Sequence, residues 1–261
     1  MSASVAQPEQ AISVIIPARN EEQRIAPLLR QLAGSKVREI IVVDAASTDR
    51  TAQVATRWGA RVITSVPGRG PQLNAGAVVA TGSILLFVHA DTRLPEDFAP
   101  RVQQILACPH VVCGAFRLRI DAPGISFRLI ETFVAWRCRV RQMPYGDQTI
   151  FLKADTFRRF GGFPDYPAME DFEFVRRLRR RGRIEIAPVP VLVSPRRWHA
   201  RGVWRTTLLN QICIAAYYLG VSPDWIARWR SGGAKDREPE HAVPELAGEI
   251  RRPRTIGRFE E

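Results

Sequence analysis

The sequence has few of the features that mark secreted, membrane-spanning or metal-cluster proteins. Its four cysteines form no Cys-x-x-C pair, and no histidine stands near them at the spacing of a zinc site. We therefore expect free, mostly buried thiols in a reducing compartment. No apolar run reaches the length of a transmembrane helix, and the polar residues 1–10 lack the apolar segment of a secretory signal. These absences favour a cytoplasmic chain.

Lysine is scarce as well, although the chain is strongly basic. The formal net charge is +12, and nearly all of the cations are arginines, because only positions 36, 153 and 235 hold lysine. A genome rich in G and C would produce that bias, so the charge alone is a weak functional signal. Its functional interpretation is an anionic partner, such as nucleotide phosphates, a nucleic acid or an anionic membrane.

Short apolar runs alternate with helical patterns through the first third of the chain. The periodicity predicts strands at 12–16, 39–43, 61–64 and 83–88, with helices at 21–32, 49–58 and 72–80 between them. Such alternation with short links is typical of a parallel sheet with crossover helices. Ligands bind at the carboxyl ends of the strands in these sheets. Here those ends are 17–21, 44–49, 65–69 and 89–92, and all four are rich in polar, Gly or Pro residues.

The remainder of the chain is less regular. It predicts helices at 95–108, 125–140, 170–181 and 203–219, and strands at 111–120, 149–152 and 184–193. The charged, proline-containing stretch 231–261 predicts a disordered tail, and 1–11 forms an N-terminal extension. We therefore expect one α/β domain over 12–230.

Asp91 and His89 follow the fourth predicted strand. A carboxylate after an apolar strand is costly to bury unless it has a partner or faces the ligand edge of the sheet. Because side chains alternate along an extended backbone, His89 shares a face with Asp91. A divalent ion that bridges phosphates needs one or two such carboxylates. Taken alone, a turn or capping role for Asp91 and a structural role for His89 are the stronger interpretations.

The other strand ends also carry polar residues. Asp44 lies several residues before the next helix, so capping does not explain it, and it can accept from a ribose hydroxyl or a base. Asn20 and Glu21 either border a ligand or cap the next helix. The loop at 68–71 brings backbone N–H groups and Arg69 to a helix start, where they suit a diphosphate. That loop matches neither G-x-G-x-x-G nor the P-loop pattern.

Acidic residues gather at the start of the helix predicted at 170–181. Glu170 and Asp171 would favour the helix dipole there, and a carboxylate at a rigid helix start would also suit a general base. Further along, the string Arg-Arg-Trp-His at 196–199 offers cations and, in His199, an imidazole ligand. Arginine is in excess from 173 to 230, which indicates either a solvated face or a surface for phosphates or anionic lipid.

Taken in order, these motifs resemble family 2 glycosyltransferases of the GT-A fold. The resemblance runs from about Ile12 to Asp224 and rests on ISVIIPARNE at 12–21, IVVDAASTDRT at 41–51, GPQLNAG at 70–76, LLFVHAD at 85–91, and GGF at 161–163 ahead of the acidic pair at 170–171. It implies an α/β fold of GT-A type, with a mostly parallel, Rossmann-like central sheet flanked by helices. Within it, 12–94 would be the nucleotide-binding half and 95–230 the acceptor-binding half.

The resemblance also implies roles for individual residues. It places the nucleoside against Pro17, Arg19, Asn20, Glu21, Asp44 and Ala90, and the diphosphate near Arg69 and Asn74. Asp91 corresponds to the last acid of the family's Asp-x-Asp metal motif, with His89 and His199 as helpers for Mg²⁺ or Mn²⁺. Asp171 corresponds to the catalytic base, with Glu170 beside it, and members of the family invert the anomeric carbon.

The function so implied is transfer of a sugar from a nucleoside-diphosphate sugar, with UDP-sugar favoured, to an unknown hydroxyl. The acceptor is a small molecule or is lipid-linked, and no nucleic acid partner is expected. Peripheral membrane contact and oligomerisation stay open. The chain departs from the family where His89 replaces the first acid of Asp-x-Asp and where Ala45 replaces an acid after Asp44. Its strings Gly-Asp-Gln at 146–148 and Arg-Arg-Trp are similar to a bacterial branch in which some members carry an arsenosugar-biosynthesis label.

Two other functions compete with this one. A nucleotidyltransferase acting on a sugar phosphate would also use an α/β sheet and a metal, but it normally has a Gly-rich loop with a lysine after the first strand, and 17–21 has neither. A basic nucleic-acid-binding protein would suit the charge, but no helix-turn-helix, zinc-finger or RNP-type motif occurs.

Overall fold

The computed structural model describes residues 11–230. The expected extension at 1–11 (apart from Ala11) and the expected tail at 231–261 lie outside the described residues. In chain order the elements are β1 (Ile12–Ala18), α1 (Ile25–Ala33), β2 (Glu39–Asp44), α2 (Thr51–Arg57), β3 (Arg61–Thr64), α3 (Arg69–Val79), β4 (Ile84–Phe87), β5 (Thr92–Arg93), α4 (Phe98–Ala107), β6 (Val111–Ile120), α5 (Ile125–Arg141), a 3-10 helix (Gly146–Gln148), β7 (Phe151–Lys153), α6 (Ala154–Arg159), α7 (Glu170–Arg179), β8 (Arg183–Val193), α8 (Arg196–Arg201), α9 (Val203–Tyr218) and α10 (Pro223–Arg230).

The eight strands form one sheet in the order β3-β2-β1-β4-β7-β6-β8-β5. The first four strands are parallel, as the alternation of strands and helices predicts. Beyond β4 the sheet becomes mixed, because β7 runs antiparallel to both β4 and β6, while β6 and β8 are parallel. The predicted α/β class with a flanked central sheet is confirmed, and the parallel part is the half that was assigned to the nucleotide.

The core consists of two layers, one on each face of the sheet. Along β1, Val14 and Ile16 face the layer that contains α1 and α4, whereas Ile15 faces the layer that contains α3 and α7. Strands covered on both faces carry continuous apolar runs, which is why the sequence marks them so clearly. No helix within residues 11–230 is long and apolar enough to span a bilayer. As expected, the four cysteines are free, and all but Cys108 are buried.

Helix α3 lies unusually close to the sheet. A side chain at Gly76 would overlap Ile15, so only glycine permits this approach. The buried Gln72 donates from its amide nitrogen to the carbonyl oxygens of Ala18 (3.0 Å) and Val43 (2.8 Å). These two residues lie at the carboxyl ends of β1 and β2. The amino end of α3, and with it Arg69, is therefore fixed against the carboxyl edge of the sheet.

Several short elements differ from the predictions. The helix predicted at 21–32 begins only at Ile25, because the backbone N–H groups of Glu21 and Glu22 donate to side chains of the next loop. The helix predicted at 72–80 begins earlier, at Arg69. The elements β5, α6, α8, α10 and the 3-10 helix were not predicted, since each has eight residues or fewer and shows little periodicity.

A carboxylate at the start of β2 joins three segments of the fold. Glu39 Oε1 accepts hydrogen bonds from Ser13 Oγ (2.6 Å), Thr81 N (2.7 Å) and Thr81 Oγ1 (2.8 Å). Partial burial raises the pKa of Glu39, but these bonds outweigh it, so the net pKa lies below the ordinary value. The carboxylate therefore holds β1, β2 and the turn before β4 together.

We expect Glu39→Gln to lower the free energy of unfolding by about 1–2 kcal/mol at neutral pH, because bonds to a charged acceptor are replaced by weaker ones. The contribution of Glu39 is complete above the pKa of the unfolded chain and is lost as pH falls through the lower pKa of the folded state. Urea unfolding at pH 7 and pH 3.5 measures both effects. An equal loss at the two pH values would contradict the account.

Candidate active site

A cavity opens at the carboxyl edge of the sheet, where β4 ends and α7 begins. Its volume is about 130 Å³. Four residues singled out in the sequence line it: Arg69, His89, Asp91 and Asp171. Arg69 follows β3, and His89 and Asp91 follow β4, so the fold brings these strand ends together as predicted, whereas Asp171 reaches the cavity from the start of α7. The other charged groups in its wall are Asp147, Arg196, Arg197 and Arg230.

Asp171 is held rigidly in the first turn of α7. The preceding Met169 adopts a left-handed conformation (φ 69°), which turns the chain sharply into the helix. Asp171 Oδ2 accepts from the backbone N–H of Gly146 (2.7 Å), and Oδ1 accepts from that of Phe172 (2.8 Å). Burial raises the pKa of Asp171, but the Arg69 guanidinium and these two N–H groups outweigh it and lower the net pKa. Asp171 is therefore ionised at neutral pH.

Glu170 points away from this cavity and forms an ion pair with Arg69. Its side chain is only 2% exposed, and Arg69 Nε donates to its Oε1. The Glu170 charge raises the pKa of Arg69 against the opposing effect of burial. Glu170, predicted to be catalytic beside Asp171, thus lies where it orients the cation that stabilises the ionised Asp171.

His89 lies close to Asp171 across Gly146. A methyl group at Gly146 would stand 3.0 Å from Asp171 Oδ2 and 3.5 Å from His89 Nε2, so the position leaves no room for a larger residue. Burial, followed by the positive charges of Arg69 and Arg197, lowers the pKa of His89 to about 3. The imidazole is therefore neutral, and a neutral imidazole can ligate a metal ion.

Asp91 and Glu21 share one cation. Arg196 donates to both carboxylate oxygens of Glu21 (2.6 and 3.1 Å), and its Nε lies 3.2 Å from Asp91 Oδ2. Within residues 11–230, no group of three or more acidic, histidine or cysteine side chains is placed to hold a metal ion. One carboxylate and a neutral imidazole still fit Mg²⁺ or Mn²⁺, because such ions often take one protein carboxylate together with substrate phosphates and water.

The first two strand ends are joined through their loops. The backbone N–H of Asn20, which has a positive φ of 54°, donates to Ser47 Oγ (2.9 Å), and Asn20 Oδ1 accepts from the N–H of Thr48 (2.9 Å). Asp44 accepts from the backbone N–H of Ser47 (3.0 Å) and from its hydroxyl. The Asp44 carboxylate therefore has a structural role in its own loop, which is the turn at Ser47 and not the cap of α2. Pro17, Arg19 and Ala90 lie beside these loops at the same edge of the sheet.

Two predicted site residues lie elsewhere. Asn74 exchanges two hydrogen bonds with the backbone of Phe163 (2.8 and 2.9 Å), so its amide joins α3 to the turn before α7. His199 is exposed on α8, packs its ring against Phe127 at 5.9 Å between centroids, and does not line the cavity. The structure thus gives both residues contacts outside the cavity that contains Asp91.

Asp147 was not singled out as a functional residue. Its Oδ1 is buried and accepts no hydrogen bond from the described residues, and burial raises its pKa. Arg197 stands in the same wall, and partial burial together with the cations Arg69 and Arg230 lowers its pKa. The string Gly-Asp-Gln at 146–148 was the available signal, but only the fold shows that it faces the cavity.

Known proteins match part of this chain in sequence. The sequence model described as glycosyl transferase family 2 matches residues 13–163. A curated relative, the 4,4'-diaponeurosporenoate glycosyltransferase of Staphylococcus haemolyticus, is 40% identical over 99 residues, which are 34% of this chain and 26% of that protein. The chain thus matches only about a quarter of that relative's length.

Two solved structures share the fold. One is the mannosyltransferase PcManGT of Pyrobaculum calidifontis in complex with GDP-Man and Mn²⁺, with a TM-score of 0.59, 22% identity, and coverage of 85% of this chain and 73% of that one. The other is glucosyl-3-phosphoglycerate synthase of Mycobacterium tuberculosis in complex with Mn²⁺, UDP and phosphoglyceric acid, with a TM-score of 0.57, 20% identity, and coverage of 82% and 80%.

The fold is the GT-A fold of these glycosyltransferases. Since the family model covers more than half of the sequence, the chain belongs to glycosyl transferase family 2.

We expect Arg69→Met to lower the free energy of unfolding by about 3 kcal/mol, because it leaves Glu170 buried without its partner. The double variant Arg69→Met/Glu170→Gln should recover part of that loss, since no unpaired buried charge remains. Guanidinium unfolding of wild type, the two single variants and the double variant measures the coupling. Equal stability of Arg69→Met and the double variant would show that the ion pair is not what holds Glu170.

Proposed function

We propose that the chain is an inverting glycosyltransferase that moves a sugar from a nucleoside-diphosphate sugar to an acceptor hydroxyl, with Asp171 as the general base. The observation that carries this proposal is an ionised Asp171 held in the same cavity wall as Asp91 and Arg69. A UDP-sugar is the favoured donor, and the M. tuberculosis neighbour binds UDP.

The base role is supported by the way Asp171 is held. Each of its oxygens accepts one backbone N–H, so each keeps a lone pair that can face the cavity. A base works best when its geometry is rigid, and the helix start and the Gly146 contact supply that rigidity. Asp171 takes the proton of the acceptor hydroxyl, and the oxygen attacks the anomeric carbon directly, with inversion. The bond from that carbon to the diphosphate oxygen breaks, and the nucleoside diphosphate leaves.

Cationic side chains supply the complementary charge for the donor. Arg69, Arg196 and Arg197 line the cavity wall, where guanidinium groups suit a diphosphate. Asp91 and His89 would hold Mg²⁺ or Mn²⁺, which would act as a Lewis acid for the leaving group. The mannosyltransferase neighbour contains Mn²⁺ with its nucleotide sugar, which supports a divalent ion here.

The nucleoside would bind at the joined loops of β1 and β2. Pro17, Arg19 and Asn20 border this edge, and Asp44 retains lone pairs beyond its bonds to Ser47. Asp147 would accept a hydrogen bond from a hydroxyl of the bound sugar or acceptor, because its buried Oδ1 accepts no hydrogen bond from the described residues. The acceptor would enter from the side of α5 and α9.

We expect Asp171→Asn to lower kcat by a factor of about 10²–10⁴, the usual contribution of a general base. Binding of UDP with Mn²⁺ should stay within about twofold, because the amide keeps the shape of the carboxylate. Product formation with labelled donor and calorimetry measure the two effects. Asp155→Asn, on the exposed side of α6, is the matched control and should behave as wild type. Loss of UDP binding in Asp171→Asn would show that the base assignment is wrong.

We expect UDP to bind more tightly in Mn²⁺ than in EDTA by about tenfold or more, and Asp91→Asn to abolish that difference. Titration calorimetry of wild type and variant, each with and without the ion, tests this. The control is Asp97→Asn, an exposed aspartate that pairs with Arg101 at the start of α4. If Asp91→Asn keeps the full effect of Mn²⁺, Asp91 is not the ligand.

A further inference from the structure

Two neighbouring helices expose apolar stripes with the same spacing. On α5 the exposed residues are Ile125, Leu129, Phe133, Trp136 and Val140. On α9 they are Trp204, Leu208 and Ile212, with the exposed Ala215 in register, and the exposed Leu219 directly follows the helix. Steps of three and four residues put each set on one face of its helix. The two helices pack against each other, and Phe133 and Trp136 of α5 meet the exposed Tyr218 of α9 in one groove. We name the exposed side of this helix pair the α5–α9 face.

This surface is also basic. Helix α5 ends with the exposed Arg139 and Arg141, while Arg128 pairs with Glu131 and Arg137 is buried; α9 carries the exposed Arg205 and no acidic residue. The adjoining α10 adds two exposed tryptophans, Trp225 and Trp229. Large exposed apolar patches mark interaction sites, and helices with apolar and arginine-rich faces lie in the interface of anionic membranes.

A groove of about 260 Å³ lies between α5 and α9. Phe133, Trp136 and Tyr218 form its outer part. Its inner part is formed by Tyr145, Phe172 and Ile214, which also line the catalytic cavity. Phe172 directly follows Asp171 and contacts both Tyr145 and Tyr218, at 5.9 and 5.6 Å between ring centroids. The groove therefore leads along aromatic rings from the exposed stripe to the proposed base.

We propose that the α5–α9 face docks on an anionic lipid bilayer and that the groove takes the apolar chain of an amphiphilic acceptor from it. The acceptor part of this proposal rests on the proposed function, because the chain must carry a hydroxyl to Asp171. The docking part rests on the surface alone. The groove is continuous with the cavity, and the face is positively charged. Both features favour a lipid over a second copy of the chain, because two copies of this face would repel each other.

Vesicle flotation with the full-length protein tests the docking. Wild type should float with vesicles of phosphatidylglycerol and phosphatidylcholine, and at least fivefold less with phosphatidylcholine alone, since each arginine near an anionic surface contributes about a factor of five. Val140→Glu should reduce flotation about tenfold, because it removes an apolar contact with the bilayer and adds a negative charge that anionic lipids repel. Val78→Glu is the matched control, an exposed valine on α3 and outside the α5–α9 face, and should float as wild type.

Three results would overturn the docking. They are absence of flotation with anionic vesicles, an equal loss in Val78→Glu and Val140→Glu, or a wild-type dimer in analytical ultracentrifugation that Val140→Glu makes monomeric without any vesicle binding. Calorimetry with UDP and Mn²⁺ on the same samples separates this proposal from the proposed function. Flotation without UDP binding would support bilayer docking and contradict the proposed sugar transfer. UDP binding without flotation would contradict the docking and leave the proposed function standing.

A series of linear alcohols tests the groove in the absence of vesicles. Octan-1-ol, nonan-1-ol and decan-1-ol should bind with a dissociation constant that falls about fourfold per added methylene. Phe133→Asn should raise the dissociation constant of decan-1-ol at least fivefold. Leu129→Asn, one turn earlier on the same stripe but outside the groove, should not. Absence of the chain-length dependence, or equal effects of the two variants, would overturn the assignment of the groove.

Discussion

The candidate site depends on one ion pair, that between Arg69 and Glu170. Arg69 begins α3, which is fixed to β1 and β2 by Gln72 and by the close approach at Gly76. Glu170 begins α7, so the pair joins the two halves of the sheet edge. The same Arg69 lowers the pKa of Asp171 and of His89, which keeps an anion and a neutral imidazole side by side. Arg69 thus acts on the pKa of both neighbours, together with the burial of His89 and the backbone donors to Asp171.

The carboxyl edge of the sheet is stabilised mainly by bonds between loops. Asn20 and Arg196 each connect segments that are distant in sequence, and Arg196 joins Glu21 to Asp91, whereas Asp44 bonds locally to Ser47. The cavity wall carries more positive than negative charge, as a site for a diphosphate requires. The groove between α5 and α9 extends this wall into an apolar surface, so charge and apolar area lie on opposite sides of Asp171.

The parallel half of the fold was predictable because its buried strands are continuous apolar runs, and so was the approach of Arg69 to Asp91 at their ends. Asp171 was marked only by its place in a motif at a helix start. The mixed half was not, since the direction of β7 depends on tertiary pairing. Asn74 shows the limit most clearly: its partner Phe163 lies 89 residues away, and a motif alone cannot tell a ligand contact from such a bond. Asp147 belongs to the Gly-Asp-Gln string, but the sequence indicates no role for it, because the burial of its oxygen results from packing in the folded chain.

The central claim is that Asp171 is an ionised base at neutral pH, and its carboxyl group can be titrated directly. Carbon-13 NMR of the aspartate side chains, with Asp171→Asn to assign the resonance, reports the pKa of this group. The account predicts a midpoint below the ordinary value for aspartate and no titration of Asp171 between pH 5 and pH 8. A midpoint above about 6 would mean that burial outweighs Arg69 and the two backbone donors, and would contradict the assignment.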